Sequence, residues 1–294
     1  MASLKELRVR IAAIRSTRKV TGSMKLVAAS KLRGVQDHML NLREYSEKLR
    51  QLLGEVIIRL SPAGRHPFMR PGVSRSVLLI CVGSDKGLCG TYNLMVIRKA
   101  LKQMSELQEE GYRVRLMVLG KKPARYFQQR EFDVNAIDGD IMRKVNYQSA
   151  ETFAKQITDL YLKESFASVQ IVYNRFVNAV THHITTEKIL PLSVKRLSGK
   201  FRQDWSEDKK VILEPAQDDV VNHLTNQYIS YNLYRILLDA AASEHGSRMT
   251  AMHKASDNAD DMLKDLDRRY NKARQSMVTK ELLDIMGGEG SRTL

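Results

Sequence analysis

The chain has 294 residues and a formal net charge of +15, and only 6% of its residues are aromatic. This length allows one or two domains with a hydrophobic core, and the charge favours an acidic partner: nucleic acid, an anionic membrane or an acidic protein surface. We expect no signal peptide, because "MASLKELRVR" has no apolar core. We expect no membrane-spanning segment, because no uncharged apolar run of about 18 residues occurs. Cys81 and Cys89 are too few for a zinc site by themselves, so packed, reduced thiols in a cytoplasmic setting are expected.

The distribution of proline divides the chain into three parts. All six prolines lie between residues 62 and 215. Because proline breaks helix interiors, long helices are expected in residues 1–61 and 216–294. Apolar residues recur at steps of three and four along both segments, and such a sustained repeat is typical of coiled coils. We therefore predict an antiparallel coiled coil of the N-terminal helix 1–61 and the C-terminal helix 216–294.

Helix length favours this coiled coil over two separate helices packed on a central domain. A helix of 60 residues is roughly 90 Å long, whereas a domain of 150 residues has a radius of gyration near ~15 Å. The helices must therefore cover each other. If both leave the central domain near Pro62 and Pro215, paired residue numbers add to about 277. The C-terminal helix then extends past its partner as a single helix, whose apolar residues need cover from another protein.

The repeat fails in one region of the N-terminal helix. Three polar residues occupy seam positions there: Arg18, Thr21 and Lys25. The pattern predicts a local phase slip that moves the seam to Val20, Met24 and Val27.

Gly22 and Gly246 lie inside the two predicted helices, where each glycine costs about 1 kcal/mol relative to alanine. Close approach of the helices and simple tolerance explain these glycines equally well.

Residues 62–215 are predicted to form an α/β domain with a small, mostly parallel sheet, because strands and helices alternate along it. The predicted strands are 76–82, 113–120, 168–176 and a further one starting at about His182. The predicted helices are 91–110, 121–130 and 146–165. Residues 195–210 are expected to be a polar loop with the lone Trp205.

The segment "GSDKGLCG" after the first strand resembles a phosphate-binding loop in composition but not in spacing. Lys86 precedes Gly87 and no Ser or Thr follows it, so the Walker pattern is absent, as is G-x-G-x-x-G. His182 and His183 are adjacent and would point to opposite faces of a strand. A nucleotide-binding enzyme is therefore disfavoured, and we predict no catalytic residues, no cofactor, no metal and no direct nucleotide binding.

A nucleic-acid-binding coiled coil is the second alternative. The first 36 residues contain 9 basic residues, 1 acidic residue and no aromatic residue. Nucleic-acid recognition usually adds an aromatic platform or a groove-reading motif to a basic patch. No nucleic-acid partner is therefore predicted.

Three separated motifs carry a resemblance to a known family. "MKLVAASKLR" begins at Met24, "GSDKGLCGTYN" follows the first strand, and "SEHGSRMTAM", "DNAD", "NKARQ" and "MVTKELLDI" lie in the C-terminal helix. In this order, over essentially the whole chain, they resemble the γ-subunit family of F-type ATP synthases. The resemblance implies a Rossmann-like central domain and a non-catalytic central rotor shaft that couples c-ring rotation to ATP synthesis or ATP hydrolysis to rotation.

The resemblance also implies partners and a location. The partners are a ring of three α and three β subunits, the ε subunit and the membrane c-ring. The location is the cytoplasmic face of a bacterial inner membrane, or the matrix face if the protein is mitochondrial, with peripheral attachment.

Particular residues follow from the matched motifs. Those expected to contact β subunits are Lys86, Arg274, Gln275, Arg248 and Met24. Those expected at the bearing of the tip are Thr279, Glu281, Leu282, Leu283, Asp284, Ile285 and Met286.

Overall fold

The computed structural model describes residues 3–60, 66–136, 140–179, 181–193 and 217–290. Its helices are α1 (Leu4–Leu60), α2 (Tyr92–Glu109), α3 (Lys121–Gln128), α4 (Tyr147–Glu164) and α5 (Gln217–Gly290). Its strands are β1 (Ser76–Val82), β2 (Arg113–Leu119), β3 (Val134–Ala136), β4 (Ser168–Phe176) and β5 (His182–Leu190). Two 3₁₀ turns, Pro67–Met69 and Asp140–Met142, complete the described elements. The predicted class is confirmed: long terminal helices flank a central α/β sheet.

The boundaries of the central elements agree closely with the sequence prediction. Strands β1 and β4 match to the residue, and α4 begins after Asn146, whose side chain accepts a hydrogen bond from the Ser149 amide at 2.7 Å. The three-residue strand β3 was not predicted, because so short a run shows no periodicity. The predicted loop 195–210 lies outside the described residues.

The chain divides into two compact units. The first contains Met1–Ala28 and Arg248–Leu294, and the second contains Ala29–Ser247. We call the first the paired-helix unit and the second the sheet unit.

The sheet unit is built on five strands in the order β3-β2-β1-β4-β5. The first four are parallel, and β5 runs antiparallel to β4. Since side chains alternate along a strand, β1 supplies both faces of the sheet. Leu78 and Ile80 face a core that includes α4, α5 and the end of α1, while Leu79 and Cys81 face α2 and α3. The sheet is thus covered by helices on both faces.

Helix α5 contributes directly to the first of these cores. Leu233, Ile236 and Leu237 are fully buried, as is Leu53 of α1. Burying each such side chain stabilises a fold by roughly 1.5–3 kcal/mol. The C-terminal helix is therefore a structural part of the α/β domain.

A buried polar network joins α5 to β4 and β5. Nη2 of Arg235 donates to both carboxylate oxygens of Glu187 at 2.9 Å, and the Tyr173 hydroxyl donates to Glu187 Oε2 at 2.9 Å. Nη1 of Arg235 also lies 3.3 Å from Asp239 Oδ2. Glu187, Tyr173 and Asp239 are all buried. We call these four residues the α5 network.

Burial changes the titration of this network. It raises the pKa of Asp239 to about 6, although Arg235 and Arg175 act in the opposite direction. Burial also raises the pKa of Tyr173 to about 12. For Arg235, burial alone would lower the pKa, but Glu187 and Tyr173 raise it above its usual range.

The paired-helix unit contains an antiparallel seam. Leu7 and Ile11 pack with Leu263 and Leu266, and Ile14, Tyr270 and Ala273 lie beside this cluster. Three polar pairs flank the seam: Arg8 with Tyr270, Arg18 with Asp260, and Lys25 with His253. The residue numbers of each pair add to 278, so the predicted register is confirmed to within one residue.

The predicted phase slip is wrong. Thr21 and Ala28 are buried on the original repeat, whereas Val20 and Val27 are 54% and 57% exposed and Met24 is half-buried. Thr21 tolerates burial because its hydroxyl donates to the Arg18 carbonyl at 3.0 Å. The seam continues without a shift, and the apolar residues beside it face outward.

Substitution at Asp239 should change how stability depends on pH. The ordinary pKa of this carboxyl is 3.8, so between pH 4 and 6 the unfolded chain loses the proton before the folded chain does. Ionisation of Asp239 therefore costs stability as pH rises through this window, by roughly 2–3 kcal/mol. Relative to the unsubstituted chain, Asp239→Asn should gain free energy of unfolding between pH 4 and 7, measured by denaturant titration. Asp261→Asn, on an exposed side chain, is the control, and an equal pH dependence in both variants contradicts the prediction.

Substitutions at neighbouring apolar positions of α1 should separate the seam from the outer surface. Ile11→Ala removes a buried side chain and should lower the stability of the isolated chain by about 2–4 kcal/mol. Val9→Ala removes a side chain that is 65% exposed. It should change the stability of the isolated chain by less than about 0.5 kcal/mol. Thermal and denaturant unfolding of the two variants measure the difference, and equal losses would disprove the seam assignment.

Candidate functional site

The loop between β1 and α2 is held by hydrogen bonds among its own residues. The Ser84 amide donates to Asn93 Oδ1 at 2.9 Å, and the Ser84 hydroxyl donates to the Lys86 carbonyl at 2.8 Å. Nδ2 of Asn93 donates to Ser84 Oγ at 2.7 Å and contacts Cys89 Sγ at 3.3 Å. The polar groups that resemble a phosphate cradle in the sequence thus stabilise the turn itself.

One glycine after β1 and one after β2 allow the two loops to lie close together. A Cβ at Gly120 would lie 2.6 Å from the Gly83 carbonyl oxygen, and Gly120 has a φ of 98°. Only glycine fits such a position without strain. Asp85 Oδ1 accepts a hydrogen bond from the Lys121 amide at the start of α3, at 3.1 Å. Gly83 and Gly120 therefore allow the β1 and β2 loops to pack together.

Helix α5 crosses the carboxyl ends of β1 and β4. In open α/β sheets, ligands bind in the crevice at the ends of such neighbouring strands. Here the Tyr92 hydroxyl donates to the Ala240 carbonyl at 3.1 Å, and the Ser243 hydroxyl donates to the Asn174 carbonyl at 3.0 Å. A Cβ at Gly246 would lie 3.0 Å from the Ala179 carbonyl. The chain's own helix occupies the usual ligand position.

The two thiols are packed, as expected. Cys81 and Cys89 are both buried and free of disulfides. Burial raises the pKa of Cys81 to about 12. A thiol with a raised pKa is a poor nucleophile, so Cys81 acts as a core residue.

Lys86 is exposed on the β1–α2 loop, and two further lysines lie near it. Lys121 and Lys122 at the start of α3 are also exposed. The side chain of Lys122 passes close to Gly87, with its Cε 3.4 Å from where a Cβ would be. Sequence reasoning missed these two lysines, since only the packing of the two loops brings them beside Lys86.

The predicted contact residues of the paired-helix unit differ in exposure. Arg274 and Gln275 are exposed on α5, Met24 is half-buried on α1, and Arg248 is only 9% exposed. Arg248 is therefore mostly covered within the chain.

The predicted tip residues extend the exposed face of α5. Met277, Val278, Leu282 and Leu283 are 49–63% exposed. Thr279 and Glu281 are exposed as well, and the Thr279 hydroxyl donates to the Gln275 carbonyl at 2.9 Å. Asp284, Ile285 and Met286 belong to the helix, but their side chains are outside the described part.

Sequence reasoning missed a second exposed apolar surface, on α1. Val9, Val20, Leu26 and Val27 are 54–71% exposed. The spacing did indicate an apolar stripe, since Val20 and Val27 are one heptad apart. The sequence prediction assigned these two residues to the seam between the helices.

Comparison with known proteins identifies the family to which this chain belongs. The family described as "ATP synthase" matches residues 3–291. The ATP synthase gamma chain of Christiangramia forsetii is 36% identical over 288 residues, which cover 98% of both chains. That of Chloroherpeton thalassium is 34% identical and covers 98% of this chain and 97% of its own. The chain belongs to the ATP synthase gamma-chain family.

Solved structures of rotary ATP synthases share the fold. The central stalk and c-ring structure of the Tetrahymena thermophila mitochondrial ATP synthase contains a chain with a TM-score of 0.58 and 25% identity, covering 81% of this chain and 99% of that one. A chain of the Euglena gracilis mitochondrial ATP synthase rotor has a TM-score of 0.59 at 16% identity, covering 94% of this chain and 98% of that one. The second likeness concerns the fold alone. Among the described residues, no helix combines the length and apolar character needed to cross a membrane.

Gly22 and Gly246 should respond differently to substitution by alanine. Apart from the neighbouring backbone of its own helix, a Cβ at Gly22 would have no atom of the described residues within 4 Å, whereas a Cβ at Gly246 would meet Ala179. Gly22→Ala should therefore raise the free energy of unfolding by about 1 kcal/mol through helix propensity. Gly246→Ala should gain less or lose stability, because the β4–β5 loop must move. Parallel denaturant titrations measure both, and an equal gain would show that the approach at Gly246 is not tight.

Proposed function

We propose that this chain is the central rotor shaft of an F-type ATP synthase and performs no chemistry itself. Its rotation couples proton flow through a membrane c-ring to ATP synthesis, or ATP hydrolysis to rotation. The observation that carries the proposal is the paired-helix unit, in which both helices expose apolar side chains. The chain's membership of the gamma-chain family supports it. A helix pair of this kind is suited to turning inside a sleeve of other subunits.

Exposed apolar surface supports enclosure of the paired helices by α and β subunits. Val9, Val20 and Val27 on α1, with Leu282 and Leu283 on α5, are about half exposed or more. Exposed large apolar side chains that recur along a helix are typical of surfaces that another protein covers. A ring of three α and three β subunits would cover it, and apolar contact, being non-directional, permits sliding during rotation.

Basic and polar side chains supply the directional contacts in this proposal. Lys86 with its neighbours Lys121 and Lys122 offers positive charge to an acidic segment of a β subunit. On α5, Arg274 offers a positive charge and Gln275 a neutral hydrogen-bonding amide. Complementary charge steers association and fixes which surfaces meet. Arg248 and Met24 are assigned a smaller share, since both side chains are partly or largely covered within the chain.

The division of labour follows the predicted domains. In this proposal the helices 1–61 and 216–294 act as the shaft, and residues 62–215 act as a foot that contacts the ε subunit and the c-ring. The part of α5 up to Ser247 also packs in the sheet unit, so it belongs to both parts. Peripheral attachment then places the chain at the cytoplasmic face of a bacterial inner membrane, or the matrix face in a mitochondrion. The net charge of +15 fits acidic partner surfaces.

Copurification tests the assignment. The tagged full chain, expressed in its own cell, should copurify with α, β and ε subunits and with ATPase activity. Purification of the chain without ring subunits, or salt-sensitive binding to DNA, would contradict the proposal.

Substitution of the tip should weaken assembly without weakening the chain. In Leu282→Gln with Leu283→Gln, two exposed side chains lose their apolar contact with the sleeve, while the isolated chain should keep its unfolding temperature. The intact complex should dissociate at a lower temperature, which native electrophoresis after heating measures. Lys280→Gln on the same turn is the control. An unchanged dissociation temperature in the double variant would rule out a bearing at the tip.

A further inference from the structure

A cluster of polar contacts around Arg235 joins α5 to two strands of the sheet. Arg235 donates to both oxygens of Glu187, to the Tyr173 hydroxyl at 3.4 Å and to Asn232 Oδ1 at 2.8 Å. It also pairs with Asp239. Its guanidinium is thus held by two strands and by its own helix at once.

This network is a poor device for stability alone. Removing several ionised groups from water costs energy that the pairing barely returns, and apolar replacements of similar size are often neutral or stabilising. Around the network, Ile229, Leu233 and Leu237 already bury α5 against the sheet. The polar residues therefore add something that apolar burial lacks.

The polar residues add a preferred angle between α5 and the sheet. Hydrogen bonds weaken steeply when bent. The Arg235 guanidinium is held through Nη2 by Glu187 and through Nη1 by Tyr173 and Asp239, so it resists rotation as well as translation. Apolar contact has no comparable angular preference. A helix held only by apolar packing can roll on a sheet, whereas one held by Arg235 to Glu187 cannot roll without breaking charged hydrogen bonds.

We propose that Arg235, Glu187, Tyr173 and Asp239 form a torsional clamp that fixes the angle of α5 on the sheet, so that torque passes between foot and shaft. This inference rests on the proposed rotor function. The four residues are positioning residues, since they act through the orientation of α5.

The test compares angular stiffness with thermal stability. In the variant Tyr173→Phe, Glu187→Met, Arg235→Met, Asp239→Asn, no ionised member of the network remains unpaired. The variant is assembled into the complete complex, and a probe is attached through Ser105→Cys, an exposed position on α2. Cys81 and Cys89 are buried, so the engineered thiol is the one labelled on this chain, and the unsubstituted complex carried through the same labelling measures any reaction on other subunits. The angular variance of the probe is recorded while the rotor is stalled.

The expected result is a loss of stiffness without a loss of stability. The angular variance should rise about twofold, because a looser joint adds its own angular play to that of the shaft. The thermal unfolding midpoint should stay equal or rise. Arg115→Met with Glu164→Met, an ion pair joining β2 to the end of α4, is the matched control and should leave the variance unchanged.

Other outcomes decide against the clamp. An unchanged variance in the assembled fourfold variant overturns it while leaving the rotor function standing. Absence of rotation in the unsubstituted complex overturns both. If the fourfold variant does not assemble, Glu187→Gln, which keeps the shape but removes the charge, is measured in its place. A variance equal to that of the unsubstituted rotor then disproves the clamp.

Discussion

Burial of one face of α5 against the sheet is the interaction on which the rest of the structure depends. Leu233, Ile236 and Leu237 complete the core beneath β1 and β4, and side chains of this size contribute roughly 1.5–3 kcal/mol each when buried. The same packing carries α5 across the carboxyl ends of these strands. It thereby closes the crevice that a ligand would need and buries the α5 network.

This constraint explains why an α/β domain with a glycine-rich loop is proposed to have a mechanical role. Tyr92 and Ser243 hydrogen bond across the position that nucleotide-binding sheets keep open. The domain then serves as a mount for a helix. The paired-helix unit is the opposite case, since a narrow seam at Leu7, Ile11, Leu263 and Leu266 leaves much apolar surface outside. In the proposed rotor, function depends on the exposed surfaces of the paired helices and on the stiffness of the packing between α5 and the sheet.

The incorrect phase slip shows where reading one helix at a time fails. The sequence prediction moved the seam to Val20, Met24 and Val27, because the polar residues Arg18, Thr21 and Lys25 occupy the regular seam positions. The Thr21 hydroxyl donates a hydrogen bond to the Arg18 carbonyl of its own helix, so burying this side chain costs little free energy. Periodicity identifies a helix and its partner register, but the outward Val20 and Val27 become recognisable only when the second helix is in place.

The sequence by itself determined the class of fold, the long terminal helices, the strands β1 and β4 and the antiparallel register, because proline positions and apolar spacing are local properties of the chain. Only the tertiary structure decided that Gly246 packs against Ala179 while Gly22 faces open space, and that Lys121 and Lys122 lie near Lys86. It also brought Arg235 to Glu187, 48 residues away. Such contacts depend on which surfaces meet when the core forms, and the spacing of residues along one chain does not record that.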